Sequence, residues 1–134
     1  MEPKEKILDA AERYFEEVRE LRRDLHQHPE LSFQEFRSSQ RIAQKLGERG
    51  IPFSDGWVGS GLVGWIKGGK DDPTVALRGD MDALPIDEQN ELSYRSCHEG
   101  VMHACGHDVH SSCLYGAAMI LQDLADDLDG TVRL

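Results

Sequence analysis

Between positions 4 and 27 apolar residues return at three- and four-residue steps: Ile7, Leu8, Ala11, Tyr14, Phe15, Val18, Leu21 and Leu25. That period predicts an amphipathic helix, and Pro29, just past His26 and His28, stops it. Ser32-Phe33-Gln34-Glu35 fits a capping box opening a second helix. Phe36, Ile42, Ala43 and Leu46 give that helix its buried stripe, and Gly47 and Gly50 close it. The pattern then changes to period two and short apolar runs. Residues 62–66 and 74–77 read as strands, separated by a turn at 68–73. Residues 85–104 carry neither period and read as a long polar loop, of the kind that is functional or disordered. A third helix is predicted over about 109–128, with Leu114, Ala117, Ala118, Leu121 and Leu124 on one face. Asp129-Gly130 ends it, and residues 131–134 begin a strand.

Helix, helix, strand, strand, loop, helix, strand suggests an α/β sandwich in one domain spanning 1–134. No repeat or low-complexity linker interrupts it. A final strand of ordinary length, about five to six residues, would run on past Leu134, so the chain reads as cut short.

Composition narrows the functional classes. With 39% hydrophobic and 30% charged residues, the 134-residue chain suits a globular domain with a real core. A net charge of −10 argues against nucleic acid or an anionic membrane surface as partner. No apolar run is long enough to span a membrane. The charged N-terminus lacks a signal-peptide core, which makes cytoplasm the expected compartment. Cys97, Cys105 and Cys113 are then thiols or metal ligands and not a disulfide framework.

Several motifs compete for chemistry. Gly59-Ser60-Gly61-Leu62-Val63-Gly64 matches G-x-G-x-x-G, but a strand follows it where a dinucleotide site needs a helix, so it reads as a turn. Gly68-Gly69-Lys70 lacks Walker spacing and is also a turn. His26 and His28 could form a ligand pair; cationic histidines at a helix C-terminus are the favoured reading. In Arg78-Gly79-Asp80-Met81-Asp82-Ala83-Leu84-Pro85, two carboxylates follow an apolar strand, where α/β sheets bind ligands. They could hold a metal, orient a metal-bound histidine, or form a solvated turn. Met102-His103-Ala104-Cys105-Gly106-His107-Asp108 is the strongest signal. Thiolate and imidazole suit zinc-like ions. In an extended segment Cys105 and His107 share a side, and Asp108 is placed to cap the following helix. Two ligands do not complete a zinc site, which wants at least three.

LRRDLHQHPELSFQE, RGDMDALPIDEQ and GVMHACGHDVH, in this order and spacing, resemble the metal-dependent amidohydrolases of the aminoacylase and carboxypeptidase superfamily. The similarity is greatest to the branch of N-acyl-amino-acid deacylases, which holds hippurate hydrolases, indole-acetyl-amino-acid hydrolases and N-acetyl-diaminopimelate deacetylase. It runs from about residue 16 to the end. The resemblance implies an α/β/α sandwich with a mixed, mostly parallel sheet, two divalent ions (manganese or zinc), and amide hydrolysis of a small N-acyl amino acid. It makes Cys105 and His107 metal ligands and gives Asp80 and Asp82 the catalytic acidic pair, without separating their roles. His103 and His110 match frequent family residues not usually counted as ligands. A paired-glutamate motif with the general base, two more histidine ligands and an inserted ferredoxin-like dimerisation domain belong to later family sequence. The expectation is therefore an N-terminal portion, inactive alone, holding one ion weakly or none. The alternative is a stand-alone metal- or partner-binding module.

Overall fold

The computed structural model describes residues 1–71 and 73–134; the Asp72 position of the expected 68–73 turn lies outside them. The first periodic stretch forms α1 (Pro3–Gln27) and the second α2 (Phe36–Glu48). Strands β1 (Phe53–Trp57) and β2 (Gly61–Lys67) follow, then β3 (Thr74–Ala76), α3 (His107–Asp123), a 3-10 turn at Ala125–Asp127, and β4 (Thr131–Arg133). The strands lie in the order β1-β2-β4-β3.

The sheet is mixed, but the expected parallel majority is absent among the described strands. β1–β2 and β2–β4 are antiparallel, and β3–β4 is parallel. Parallel neighbours need a crossover of about a dozen residues or more. Here α3 supplies that crossover between β3 and β4. The short turn through the 59–61 glycines joins β1 to β2 and allows only the antiparallel pairing.

One core joins all three helices to the sheet: Leu21 and Leu25 of α1, Leu46 of α2, Ile66 of β2, and Tyr115, Ala118 and Met119 of α3, with Ile51. The buried face of α3 is thus rotated from the expected Leu114–Leu124 line, because apolar residues surround that helix. The N-terminal part of the α1 stripe stays in solvent, with Ile7, Leu8 and Phe15 exposed.

Two helix starts differ from expectation. Glu35, not Ser32, occupies the cap position of α2, and no capping box forms. The Glu30 carboxylate satisfies that helix end, accepting from the Arg37 and Ser38 amides at 3.0 and 2.6 Å. α3 begins two residues early, capped by Gly106 at φ 90°, a left-handed conformation that favours glycine. Asp108 therefore lies inside the first turn and is buried.

Asp108 heads a buried charge network. Its Oδ2 accepts from Arg22 Nε at 2.9 Å and pairs with His26 Nδ1 at 2.8 Å. His26 Nε2 reaches both Glu88 oxygens at 3.1 Å. His26 is thus neither a ligand nor a simple helix-end cation. His28 does serve the helix end, bonding the Asp24 carbonyl through Nδ1 at 2.8 Å. Glu88 also accepts from the Ser96 amide at 2.8 Å, and the Cys97 amide bonds the Gln27 carbonyl at 2.9 Å. With the Leu84–Met102 bridge, these contacts close segment 85–104 and fasten it to α1, which His26 and Arg22 in turn tie to Asp108 of α3. Burial alone would raise the Glu88 carboxyl, but donors from Ser96, His26 and Asn90 outweigh it and hold it below its usual range.

A second hub sets acid stability. The Glu17 carboxylate accepts from Tyr115 at 2.8 Å and Lys45 at 3.1 Å, and from Arg49. Burial opposes its charge, yet these three donors bring it from 4.5 down to about 2. A depressed carboxyl contributes stability that is fully present above its unfolded value and lost as pH falls through its folded one. Glu17→Gln should therefore cost on the order of 2 kcal/mol at neutral pH. Urea titrations should show that difference shrinking between pH 4.5 and 2. A gap constant down to pH 2 contradicts the assignment.

Candidate metal centre

β3 delivers the acidic pair. After Ala76 the chain passes against the start of α3, near His110, Ser111 and Leu114. A Cβ at Gly79 would sit 3.2 Å from the His110 carbonyl oxygen and from Leu114, so glycine lets the strand exit press against α3. Asp80 follows, its carbonyl bonded by the Ser111 hydroxyl and its Oδ1 paired with Arg78 at 2.8 Å. Asp82 lies opposite the α3 N-terminus. A parallel bridge between Leu31 and Ala83 brings the α1–α2 connection alongside.

His107, the first residue of α3, is the centre of the cluster. Its Nδ1 lies 2.8 Å from Asp82 Oδ1 and 3.0 Å from the Asp82 carbonyl oxygen. Its Nε2 lies 3.8 Å from Asp80 Oδ2. The Cys105 thiol donates to the same Asp82 carbonyl at 3.6 Å. Residues 104–106 form a turn and not the extended segment expected, yet Cys105 and His107 still meet at one carbonyl. Asp80, Asp82, Cys105 and His107 are thus brought together at the carboxyl end of β3, beside the bridge that closes segment 85–104.

His110 joins them. One ligand-type atom each from Asp80, His107 and His110 lies within 4.8 Å of the others. The sequence signal was available: His107 and His110 are three residues apart, a spacing that puts both imidazoles on one helix face, and their rings lie 5.2 Å apart. His103 does not join. It is buried, with both ring nitrogens unpartnered among the described residues, and burial pushes its imidazole below its ordinary value.

Burial works against the Asp82 carboxylate, but hydrogen bonds from Ser32 and His107 outweigh it and hold Asp82 below the usual carboxylate range. Asp82 is therefore an anionic acceptor fixed on the Nδ1 side of His107, which leaves Nε2 toward Asp80. A carboxylate that orients an imidazole in this way is the common support of a ligating histidine. Two imidazoles, a carboxylate and an adjacent thiol, with that support, fit a divalent cation.

An α/β fold with this donor set beside a strand's carboxyl end has the makings of a metal-binding domain. Residues 76–134 match Peptidase family M20/M25/M40. The N-acetylcysteine deacetylase of Bacillus subtilis (strain 168) is 47% identical over 114 residues, covering 84% of this chain and 30% of that protein. Thermostable carboxypeptidase 1 of Saccharolobus solfataricus is 42% identical over 136 residues, covering 95% of this chain and 34% of that one. The crystal structure of the Bacillus subtilis YXEP protein, a dinuclear metal binding peptidase from the M20 family, superposes with a TM-score of 0.87 at 44% identity. That likeness covers 91% of this chain and 35% of the YXEP chain. The chain is similar to members of the M20 family over the N-terminal part of their length. It spans about a third of the length of these relatives. Among the described residues no helix is long and apolar enough to cross a membrane.

Proposed function

We propose that this chain supplies the metal-binding N-terminal portion of an amidohydrolase acting on N-acyl amino acids. The observation that carries the reading is the convergence on His107: Asp82 on its Nδ1, with Asp80 and His110 close enough to share one ion. His107 and Cys105 are the principal ligands, with Asp80 and His110 completing the donor set. A divalent ion held there, manganese or zinc, would supply Lewis acidity, polarising an amide carbonyl and acidifying a water. Asp82 holds the His107 proton on Nδ1 and keeps Nε2 free. Asp80, bonded on one oxygen by Arg78, presents its other oxygen to the cluster. The Bacillus deacetylase is named for N-acetylcysteine, an N-acetyl amino acid, and amide cleavage is common to that enzyme and to carboxypeptidases.

The 134-residue chain by itself is expected not to turn over such substrates, because it spans about a third of its relatives. General-base help alone is worth about 10²- to 10⁴-fold, and the resemblance places that base in a later segment. The purified chain is assayed with added manganese or zinc against N-acetyl, N-benzoyl and indole-acetyl amino acids. Turnover near about 10 per second, abolished by Cys105→Ala, would contradict this and show a base within the chain.

A further inference from the structure

The structure assigns Ser32 as a positioning residue of the metal centre, acting on His107 through Asp82. The inference rests on the metal-binding reading above and adds a residue to it.

Ser32 belongs to the connection between α1 and α2, fifty positions before Asp82. Its hydroxyl donates to Asp82 Oδ2 at 2.8 Å while Asp82 Oδ1 accepts from His107 Nδ1 at 2.8 Å. The two carboxylate oxygens thus have different partners, and the plane of the carboxyl group is fixed at both ends. Rotation about the last Asp82 torsion, otherwise broad, would break both bonds together. The carboxylate can therefore offer Oδ1 to His107 only in the setting that also satisfies Ser32.

The connection is built to deliver this hydroxyl. The Ala83 amide bonds the Glu30 carbonyl at 2.7 Å, and Leu31 bridges Ala83, which ties residues 30 and 31 to the stretch just after Asp82. The Glu30 side chain is committed to the start of α2, so the connection is anchored on its other side as well. Between these anchors Phe33 adopts φ 64°, a left-handed conformation costly for an aromatic residue, while the residue stays 70% exposed. No burial of Phe33 compensates that strain. It persists because the neighbouring bonds, that of Ser32 to Asp82 among them, over-determine the backbone. The sequence Ser-x-x-Glu resembles a capping box, yet the hydroxyl that a cap would use is spent on the acidic pair.

The test uses the full 134-residue chain, with Ser32→Ala and Ser32→Thr. Ser32 is exposed, so neither substitution disturbs the core. Ring ¹⁵N shifts of His107 in the metal-free protein report which nitrogen carries hydrogen. Zinc affinity is read by competition with a chromogenic chelator. The expected results are a dominant Nδ1–H form in the parent, a mixed population in Ser32→Ala, and about a tenfold loss of zinc affinity, the lower end for an outer partner of a ligand. Ser32→Thr, which keeps the hydroxyl, should restore both. An unchanged His107 tautomer in Ser32→Ala overturns the assignment. So does an unchanged zinc affinity in Ser32→Ala when His107→Ala abolishes uptake. If His107→Ala also leaves uptake intact, the metal-binding reading has failed, and the tautomer alone decides the role of Ser32.

Discussion

Replacing Asp108 by alanine is expected to cost about 3–5 kcal/mol of unfolding free energy, the range for breaking one partner out of a buried ion pair. Asp108 is 1% exposed, His26 3% and Glu88 2%. The substitution leaves a His26 ring nitrogen and the Arg22 guanidinium facing the place where Oδ2 had been. The loss is not confined to one pair. His26 aligns Glu88, and Glu88 in turn holds the Ser96 amide, so one deletion loosens the joint between α1, α3 and segment 85–104. Urea denaturation measures the effect: the midpoint should fall sharply, and a reduced slope would show that the segment had detached in the native state. Asp108→Asn keeps an acceptor for one partner and should cost less. A loss below about 1 kcal/mol in Asp108→Ala, the level of an exposed pair, would mean that the network is not a structural unit.

The second large effect is on metal uptake. His107→Ala should lower affinity for zinc or manganese by well over tenfold, since even outer partners of a ligand are worth about 10- to 100-fold. Cys105→Ala should also weaken uptake, and Asp82→Ala should weaken it within that outer-partner range. Asp82→Ala removes Oδ1 but leaves the backbone carbonyl 3.0 Å from Nδ1 to hold part of the orientation. The expected order of loss is therefore His107→Ala above Asp82→Ala. Equilibrium dialysis against each ion gives the affinities. Uptake unchanged in both His107→Ala and Cys105→Ala would sink the centre as described. Retention in Cys105→Ala with loss in His107→Ala and His110→Ala would remove the thiol from the donor set and leave Asp80, His107 and His110, whose ligand atoms lie within 4.8 Å of one another.

Much of the helical framework could be read from the chain, because α1 and α2 keep apolar residues on one face at helical spacing. The strand β1 was harder: Phe53-Ser54-Asp55-Gly56-Trp57 contains no β-branched residue and a glycine at φ 77°. Strand direction cannot be read from apolar period, so the antiparallel pairings of β2 emerged only in three dimensions. At the candidate centre, Asp80, Asp82, Cys105 and His107 were visible as two short motifs, since ligand chemistry packed into a few residues is rare by chance. Ser32, Glu88 and the true place of Asp108 were not visible. Their long-range partners stand 50 to 86 positions away, and each had a plausible local role as cap or loop residue. Local sequence rules assign polar side chains to the nearest backbone; burial and long-range pairing override that assignment here.

The fastening of segment 85–104 has an entropic consequence. Holding a backbone residue in one conformation costs about 1–2 kcal/mol at room temperature, and an irregular segment of this length commonly leaves that cost to be met when a ligand arrives. Here Glu88, the Leu84–Met102 bridge and the Cys97 amide order the segment as part of folding itself. The wall beside Cys105 and His107 is accordingly preorganised, and the free energy of an ion bound there would go to coordination instead of to arranging the chain around it.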